Sequence, residues 1–129
     1  VPEIMELNDP EDISYYPYMN GQFVFKNAVV RFAEVIQEGL EKTGWTADQI
    51  NLLVPHQANL RIAQFVQKKF RLGDDQVYNN IQRYGNTTAA SIPIALTEAW
   101  EEGKVKEGSK VVLAAFGSGF TWGSVMIQW

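Results

Sequence analysis

The chain has 129 residues, 46% of them hydrophobic and including seven Phe, five Tyr and four Trp, enough apolar material for one folded domain and too much for a disordered segment. A net charge of −4 argues against nucleic-acid binding on bulk electrostatics. With no cysteine, the sequence contains no disulfide, thiolate metal site or cysteine nucleophile, and no apolar run approaches the roughly 20 residues needed to span a bilayer. The opening Val1-Pro2-Glu3-Ile4-Met5-Glu6 lacks the basic and apolar regions of a signal peptide, so a soluble cytoplasmic protein is expected, with no membrane and no nucleic acid among its partners.

Residues 1–20 are acidic, aromatic and Pro-bearing, and read as an irregular segment with a strand at most at its end. From Val24 to about Lys42, Phe25, Val29, Phe32, Val35, Ile36 and Leu40 recur at helical spacing, and Thr43-Gly44 stops the helix. Thr46-Ala47-Asp48-Gln49 offers a capping-type turn, after which Ile50 to Val54 reads as a buried strand ending at Pro55. A helix is expected from about Gln57 to Phe70, burying Leu60, Ile62, Ala63, Phe65, Val66 and Phe70 and exposing Arg61, Lys68 and Lys69. Gln76 to Asn79 reads as a short strand and Arg83 to Asn86 as a loop. Ala89 to about Glu102 reads as a helix that tolerates Pro93 only in its first turn. Lys110 to Phe116 lacks alternation and is expected to be a strand buried on both faces, paired with Trp122 to Gln128 across a glycine-rich turn. The order implies an α/β domain: a mixed β-sheet covered by helices.

The only histidine, His56, stands where the first strand ends and the next helix approaches, the kind of junction at which α/β proteins place chemistry. Taken alone it is more often a surface or capping residue, and Asn86 after Gly85 is more often a turn residue. One histidine without cysteine or clustered carboxylates makes no normal set of metal ligands, so no metal site is expected.

Three motifs change that weighting: Val54-Pro55-His56-Gln57-Ala58-Asn59, Tyr84-Gly85-Asn86-Thr87-Thr88-Ala89-Ala90-Ser91-Ile92-Pro93 and Phe116-Gly117-Ser118-Gly119-Phe120-Thr121-Trp122-Gly123. In order and spacing they resemble the C-terminal half of β-ketoacyl-acyl carrier protein synthase III, a thiolase-like family, and Met19-Asn20-Gly21-Gln22-Phe23-Val24-Phe25-Lys26 is similar to the start of that half. The resemblance covers roughly residues 15 to 129. It implies a thiolase-like half over 21–129, with 1–20 continuing from an N-terminal half outside the sequence. It also implies an acyltransferase that condenses acyl-CoA with malonyl-acyl carrier protein, losing CO₂, to initiate fatty-acid synthesis without a cofactor.

The family's active centre is Cys-His-Asn, and His56 and Asn86 match its last two members. The cysteine belongs to the other half, so the sequence reads as a proteolytic product, a truncated form or one half of a split enzyme, unable to condense alone. Its implied partners are the cysteine-bearing N-terminal half, acyl carrier protein and, in the intact enzyme, a second copy as a homodimer. Decarboxylation moves negative charge onto the thioester oxygen, which suits neutral donors such as His56 and the Asn86 amide. A helix N-terminus beside His56 is expected to keep the ring neutral. By the same resemblance the Ser118 N–H is an oxyanion-hole donor, Phe116 flanks the reacting carboxylate, Asn59 bonds the pantetheine arm, and Phe25 and Met19 line the tunnel. Lys26, Arg61, Lys68 and Lys69 form a basic face for the carrier protein, competing with a reading as ordinary solvated surface. The non-enzymatic alternative is a carrier-protein- or CoA-binding remnant. Within the enzymes, a related Cys-His-Asn polyketide-type synthase remains open, whereas the elongating synthases carry two histidines where this chain has His56 and Asn86. The Ala-rich stretch Ala89 to Leu96 is the helix expected at the junction of the two halves.

Overall fold

The structure is a computed structural model and describes residues 17–129; residues 1–16, most of the segment expected to be irregular, lie outside the described residues. Helix α1 spans Gly21–Thr43. It begins three residues earlier than its apolar periodicity suggests, because Asn20 accepts a hydrogen bond from the Phe23 amide and caps a first turn whose residues are exposed. At the other end Gly44 adopts φ 70°, a left-handed conformation that glycine enters without strain, and closes the helix.

Strand β1 is Leu52–Pro55, buried throughout, and strands β2 (Lys110–Gly117) and β3 (Thr121–Gln128) complete a three-stranded mixed sheet ordered β1-β2-β3. β1 runs parallel to β2 with Leu53 opposite Val112 and Pro55 opposite Ala114, and β2 runs antiparallel to β3 with Phe116 opposite Trp122. Period-two alternation sorts the side chains onto two faces. Leu53, Val112, Ala114 and Phe116 pack with Phe32, Ile36 and Leu40 of α1 and with Ile62 and Val66 of helix α2 (Leu60–Phe70). On the other face Leu52, Val54 and Val111 meet Ala95 and Ala99 of helix α4 (Ser91–Glu101). Each of the buried Leu, Ile, Val and Phe side chains contributes about 1.5–3 kcal/mol, so the β1–β2 pair is anchored from both sides. Gly39 lets α1 approach β3 closely, since a Cβ there would sit 1.9 Å from the tip of Met126.

Four expectations are corrected. Helix α2 starts at Leu60, not Gln57, because Asn59 is the residue whose side chain caps it, accepting from the Arg61 amide at 2.9 Å. Its buried stripe is Ile62, Ala63 and Val66, while Leu60 and Phe65 are exposed. Gln76 to Asn79 makes no strand, only a single parallel bridge between Val77 and Leu53 after a 3₁₀ turn over Asp74–Gln76. The expected loop before Asn86 contains the one-turn helix α3, Ile81–Tyr84. Pro93 falls in the first turn of α4, where its missing N–H costs nothing.

Candidate active site

β1 and β2 end side by side, and the His56 amide extends their pairing by donating to the Ala114 carbonyl at 2.8 Å. His56 therefore sits just past the carboxyl end of a parallel strand, at the rim where open α/β sheets gather ligands. β2 delivers Phe116 and the Gly117–Gly119 turn to the same rim, and the start of α4 arrives beside it. Together they enclose a cavity of about 1090 Å³ whose lining includes Met19, His56, Asn86, Phe116 and Ser118. Its wall is aromatic: Phe120 lies 4.9 Å from Phe116 and 5.8 Å from Phe23, ring centre to ring centre, and Phe116 stacks on Trp122.

The polar groups at this rim are held by Gln57, a buried side chain with all its hydrogen-bonding capacity in use. Its Nε2 donates to the Pro55 carbonyl at 2.7 Å and the Tyr78 carbonyl at 3.3 Å, while its Oε1 accepts the Asn80 and Ile81 amides at 3.0 and 3.1 Å. Its backbone N–H donates to Ser91 Oγ at 3.2 Å, and that oxygen lies 2.5 Å from His56 Nδ1. One residue thus ties the loop carrying His56 to the turn leading to Asn86 and to the first residue of α4.

A second brace works from the far side of α3. Glu98, on α4, accepts hydrogen bonds from Asn80 Nδ2 at 2.9 Å, from the Arg83 guanidinium at 2.6 Å and from the Tyr84 hydroxyl. Side-chain hydrogen bonds from Asn80 and Tyr84 hold its carboxyl below the ordinary range. Burial, reinforced by Glu102 and Glu98, pushes the Tyr78 hydroxyl well above its ordinary value, so it stays a neutral donor to Glu102 at 2.7 Å. Asn86 itself is exposed to the cavity. Its Oδ1 accepts the Thr88 amide at 2.9 Å, and its Nδ2 hydrogens have no partner among the described residues.

Burial lowers the His56 pKa from its ordinary value and favours the neutral ring. The helix expected to open beside the ring, α2, begins four residues later behind its own cap.

The remaining expected site residues are spread more widely. Asn59 uses its side-chain oxygen to cap α2. Phe25 is half-buried against the main core with the Arg61 guanidinium 5.6 Å above its ring, and it does not line the cavity. Lys26, Arg61, Lys68 and Lys69 are exposed on α1 and α2 and make no ion pair among the described residues. Gln57 and Ser91 were given no role from sequence, although each lies inside a motif. The available signal was a polar residue next to His56 and a serine opening an Ala-rich helix.

A mixed sheet with helices on both faces and a His and an Asn at its rim is the architecture of a thiolase-like domain. The crystal structure of 3-oxoacyl-[acyl-carrier-protein] synthase III from Aquifex aeolicus superposes with a TM-score of 0.87 at 47% identity, over 92% of this chain and 38% of that one. The synthase III structure from Thermus thermophilus gives 0.85 at 46% identity, over 87% of this chain and 35% of that one. In sequence the chain is 50% identical over 111 residues to a β-ketoacyl-[acyl-carrier-protein] synthase III of Clostridioides difficile, covering 86% of this chain and 34% of that protein. Residues 40–129 match the family described as 3-oxoacyl-[acyl-carrier-protein (ACP)] synthase III C terminal, and the chain belongs to that family. It spans about a third of the length of these relatives.

Proposed function

We propose that this chain supplies the His-Asn part of the active centre of a β-ketoacyl-acyl carrier protein synthase III. The observation that carries the reading is the convergence of His56, Asn86 and the Ser118 turn on one cavity in a chain of this family. The nucleophilic cysteine comes from a region of the synthase outside this sequence, which itself contains none. In the first half-reaction the cysteine thiolate displaces CoA from acyl-CoA and becomes a thioester. In the second, the malonyl group of the carrier protein breaks its bond to the carboxylate, releases CO₂ and places the electron pair on an enolate. The enolate carbon attacks the cysteine thioester, a C–C bond forms, and the thiolate leaves.

The enolate oxygen sits between the His56 N–H and the Asn86 Nδ2, both neutral donors that gain strength as charge develops and would not hold the malonyl carboxylate as a cation would. The tetrahedral oxyanion takes the Ser118 N–H and the backbone of the cysteine. Phe116, beside the departing carboxylate, favours loss of its charge by excluding water. Met19 borders the path of the acyl chain, and Asn59 meets the pantetheine arm at the α2 end. Lys26, Arg61, Lys68 and Lys69 draw the acidic carrier protein to the opening. No step calls for a cofactor, and the working enzyme is read as a cytoplasmic homodimer in which residues 21–129 form one thiolase-like half. Among the described residues no helix is long and apolar enough to cross a membrane.

The test is made on a complete synthase carrying this sequence. His56→Ala and Asn86→Ala are expected to leave acylation of the cysteine by acyl-CoA intact and to lower condensation with malonyl-acyl carrier protein by about 10²–10³-fold, the range for loss of an oxyanion donor. Condensation at wild-type rates in both variants would remove the reading.

A further inference from the structure

The proposed chemistry needs His56 to present an N–H to the substrate, and the structure contains a group that decides which ring nitrogen carries the proton. Ser91 is 2% exposed, and its hydroxyl oxygen has two neighbours among the described residues, the Gln57 backbone N–H at 3.2 Å and His56 Nδ1 at 2.5 Å. A backbone N–H can only donate, so one lone pair of Oγ is taken by Gln57. The hydroxyl has a single proton to give, and Nδ1 is the only acceptor within reach. Were Nδ1 protonated, Oγ would accept two hydrogen bonds and its own buried O–H would point at nothing, an arrangement folded proteins avoid.

We infer that Ser91 is a positioning residue that donates to His56 Nδ1 and fixes the ring in the tautomer with its proton on Nε2, the nitrogen that has no partner among the described residues, on a ring that lines the cavity. The device is directional because Gln57 holds it. Its N–H occupies one lone pair of the oxygen, and its side chain is locked to four backbone groups, so that donor is held in place and the Ser91 proton is left to Nδ1. Ser91 is also the first residue of α4, so its contact with the ring joins His56 to the helix that carries Glu98. The catalytic use of the Nε2 proton rests on the function proposed above; the tautomer itself does not.

Because His56 is the only histidine, the imidazole nitrogens of the ¹⁵N-labelled chain give an NMR spectrum that needs no assignment. At a pH where the ring is neutral, the wild-type chain is expected to show a protonated Nε2 and an unprotonated, hydrogen-bonded Nδ1. Ser91→Ala removes one oxygen atom, and the two nitrogen shifts are then expected to move toward each other as the second tautomer becomes populated. Ser91→Thr keeps the hydroxyl and should return the wild-type pattern. Asn51→Ala, which removes a cap on the Lys110 amide at the opposite end of the sheet, should leave the ring shifts unmoved although it loosens the fold. A wild-type spectrum with the proton on Nδ1, or a folded Ser91→Ala chain with unchanged ring shifts, would overturn the inference. Should Ser91→Ala unfold, the Ser91→Thr and wild-type spectra still decide: a wild-type Nδ1 with no hydrogen-bonded hydroxyl proton is equally fatal. A synthase that proves inactive in the condensation assay while these spectra hold would sink the function and leave the tautomer standing.

Discussion

Replacing Gln57 by leucine keeps the side chain's size and removes all its polar atoms. Four backbone groups lose their partner: the carbonyls of Pro55 and Tyr78 and the amides of Asn80 and Ile81. Pro55, Tyr78 and Asn80 are buried, so water cannot replace the amide group at those positions. At about 1–3 kcal/mol for each stranded buried group, and with relaxation letting the less buried partners recover, a loss of roughly 3–5 kcal/mol is expected. That is a large part of the ~5–15 kcal/mol that holds a domain together. Equilibrium urea unfolding followed by Trp fluorescence reads the change as a shift in midpoint at constant slope. Gln57→Glu sharpens the reasoning. One oxygen can still accept the two amides, but the other then faces two carbonyls and is tolerable only when protonated. Burial among acceptors raises that carboxyl above its unfolded value near 4.3, so the variant should be most stable below it and lose stability as pH rises through the folded value. A Gln57→Leu loss below about 1 kcal/mol, or a Gln57→Glu chain as stable at neutral pH as in acid, would show that the residue is not the brace its hydrogen bonds suggest.

Burial depresses the His56 pKa, so the ring contributes stability that is complete above its unfolded value of 6.5 and is lost as pH falls through the lower folded value; the pH slope of unfolding over that window should flatten in His56→Phe. Glu98→Leu frees Asn80, Arg83 and Tyr84 at once, and hydrogen exchange at the Arg83 to Gly85 amides should quicken while that of β2 stays slow. Arg61→Glu on the complete synthase is expected to raise KM for malonyl-acyl carrier protein and weaken its salt dependence without slowing acylation by acyl-CoA; equal effects on both half-reactions would exclude a docking role. Gly39→Leu should destabilise by about 1–3 kcal/mol through overpacking against Met126, whereas Gly39→Ala, which displaces only the flexible tip of that side chain, should cost less; urea midpoints compare them.

The elements that sequence reading located well are those whose signal is internal to one segment. α1 announces itself because eight of its buried residues recur on one stripe, and β2 because Val111 and Val112 are buried on opposite faces of the sheet. Failures arise where a residue's partner is remote. Leu60 and Phe65 share α2 with the core-facing Ile62, Ala63 and Val66 and are apolar like them, so composition alone cannot say that they point outward. Gln57 reads as a polar helix-starting residue until Asn80, 23 positions away, is seen to be its partner.

The candidate site divides in the same way, and the division has a physical cause. His56 and Asn86 are legible because their neighbours impose local geometry: the strand ends at Pro55, just before His56, and Gly85, at φ 68°, turns the chain before Asn86. Ser91 and Glu98 act by accepting or donating across 14 to 35 residues of sequence, and no local rule requires them to be polar. Groups that touch a substrate must stand on exposed loops. Groups that fix the loops must lie in the layer beneath, where a hydroxyl or amide is tolerable only with every partner in place. Here that layer is continuous from His56 through Ser91 and Gln57 to Asn80 and Glu98, and Glu98 also holds Tyr84 two residues before Asn86, so polar contacts join the two segments that carry the donors. A core substitution such as Val66→Ala should therefore lower stability by the usual ~2–4 kcal/mol while leaving the His56 ring signals where they are, and a Gln57 substitution should move both.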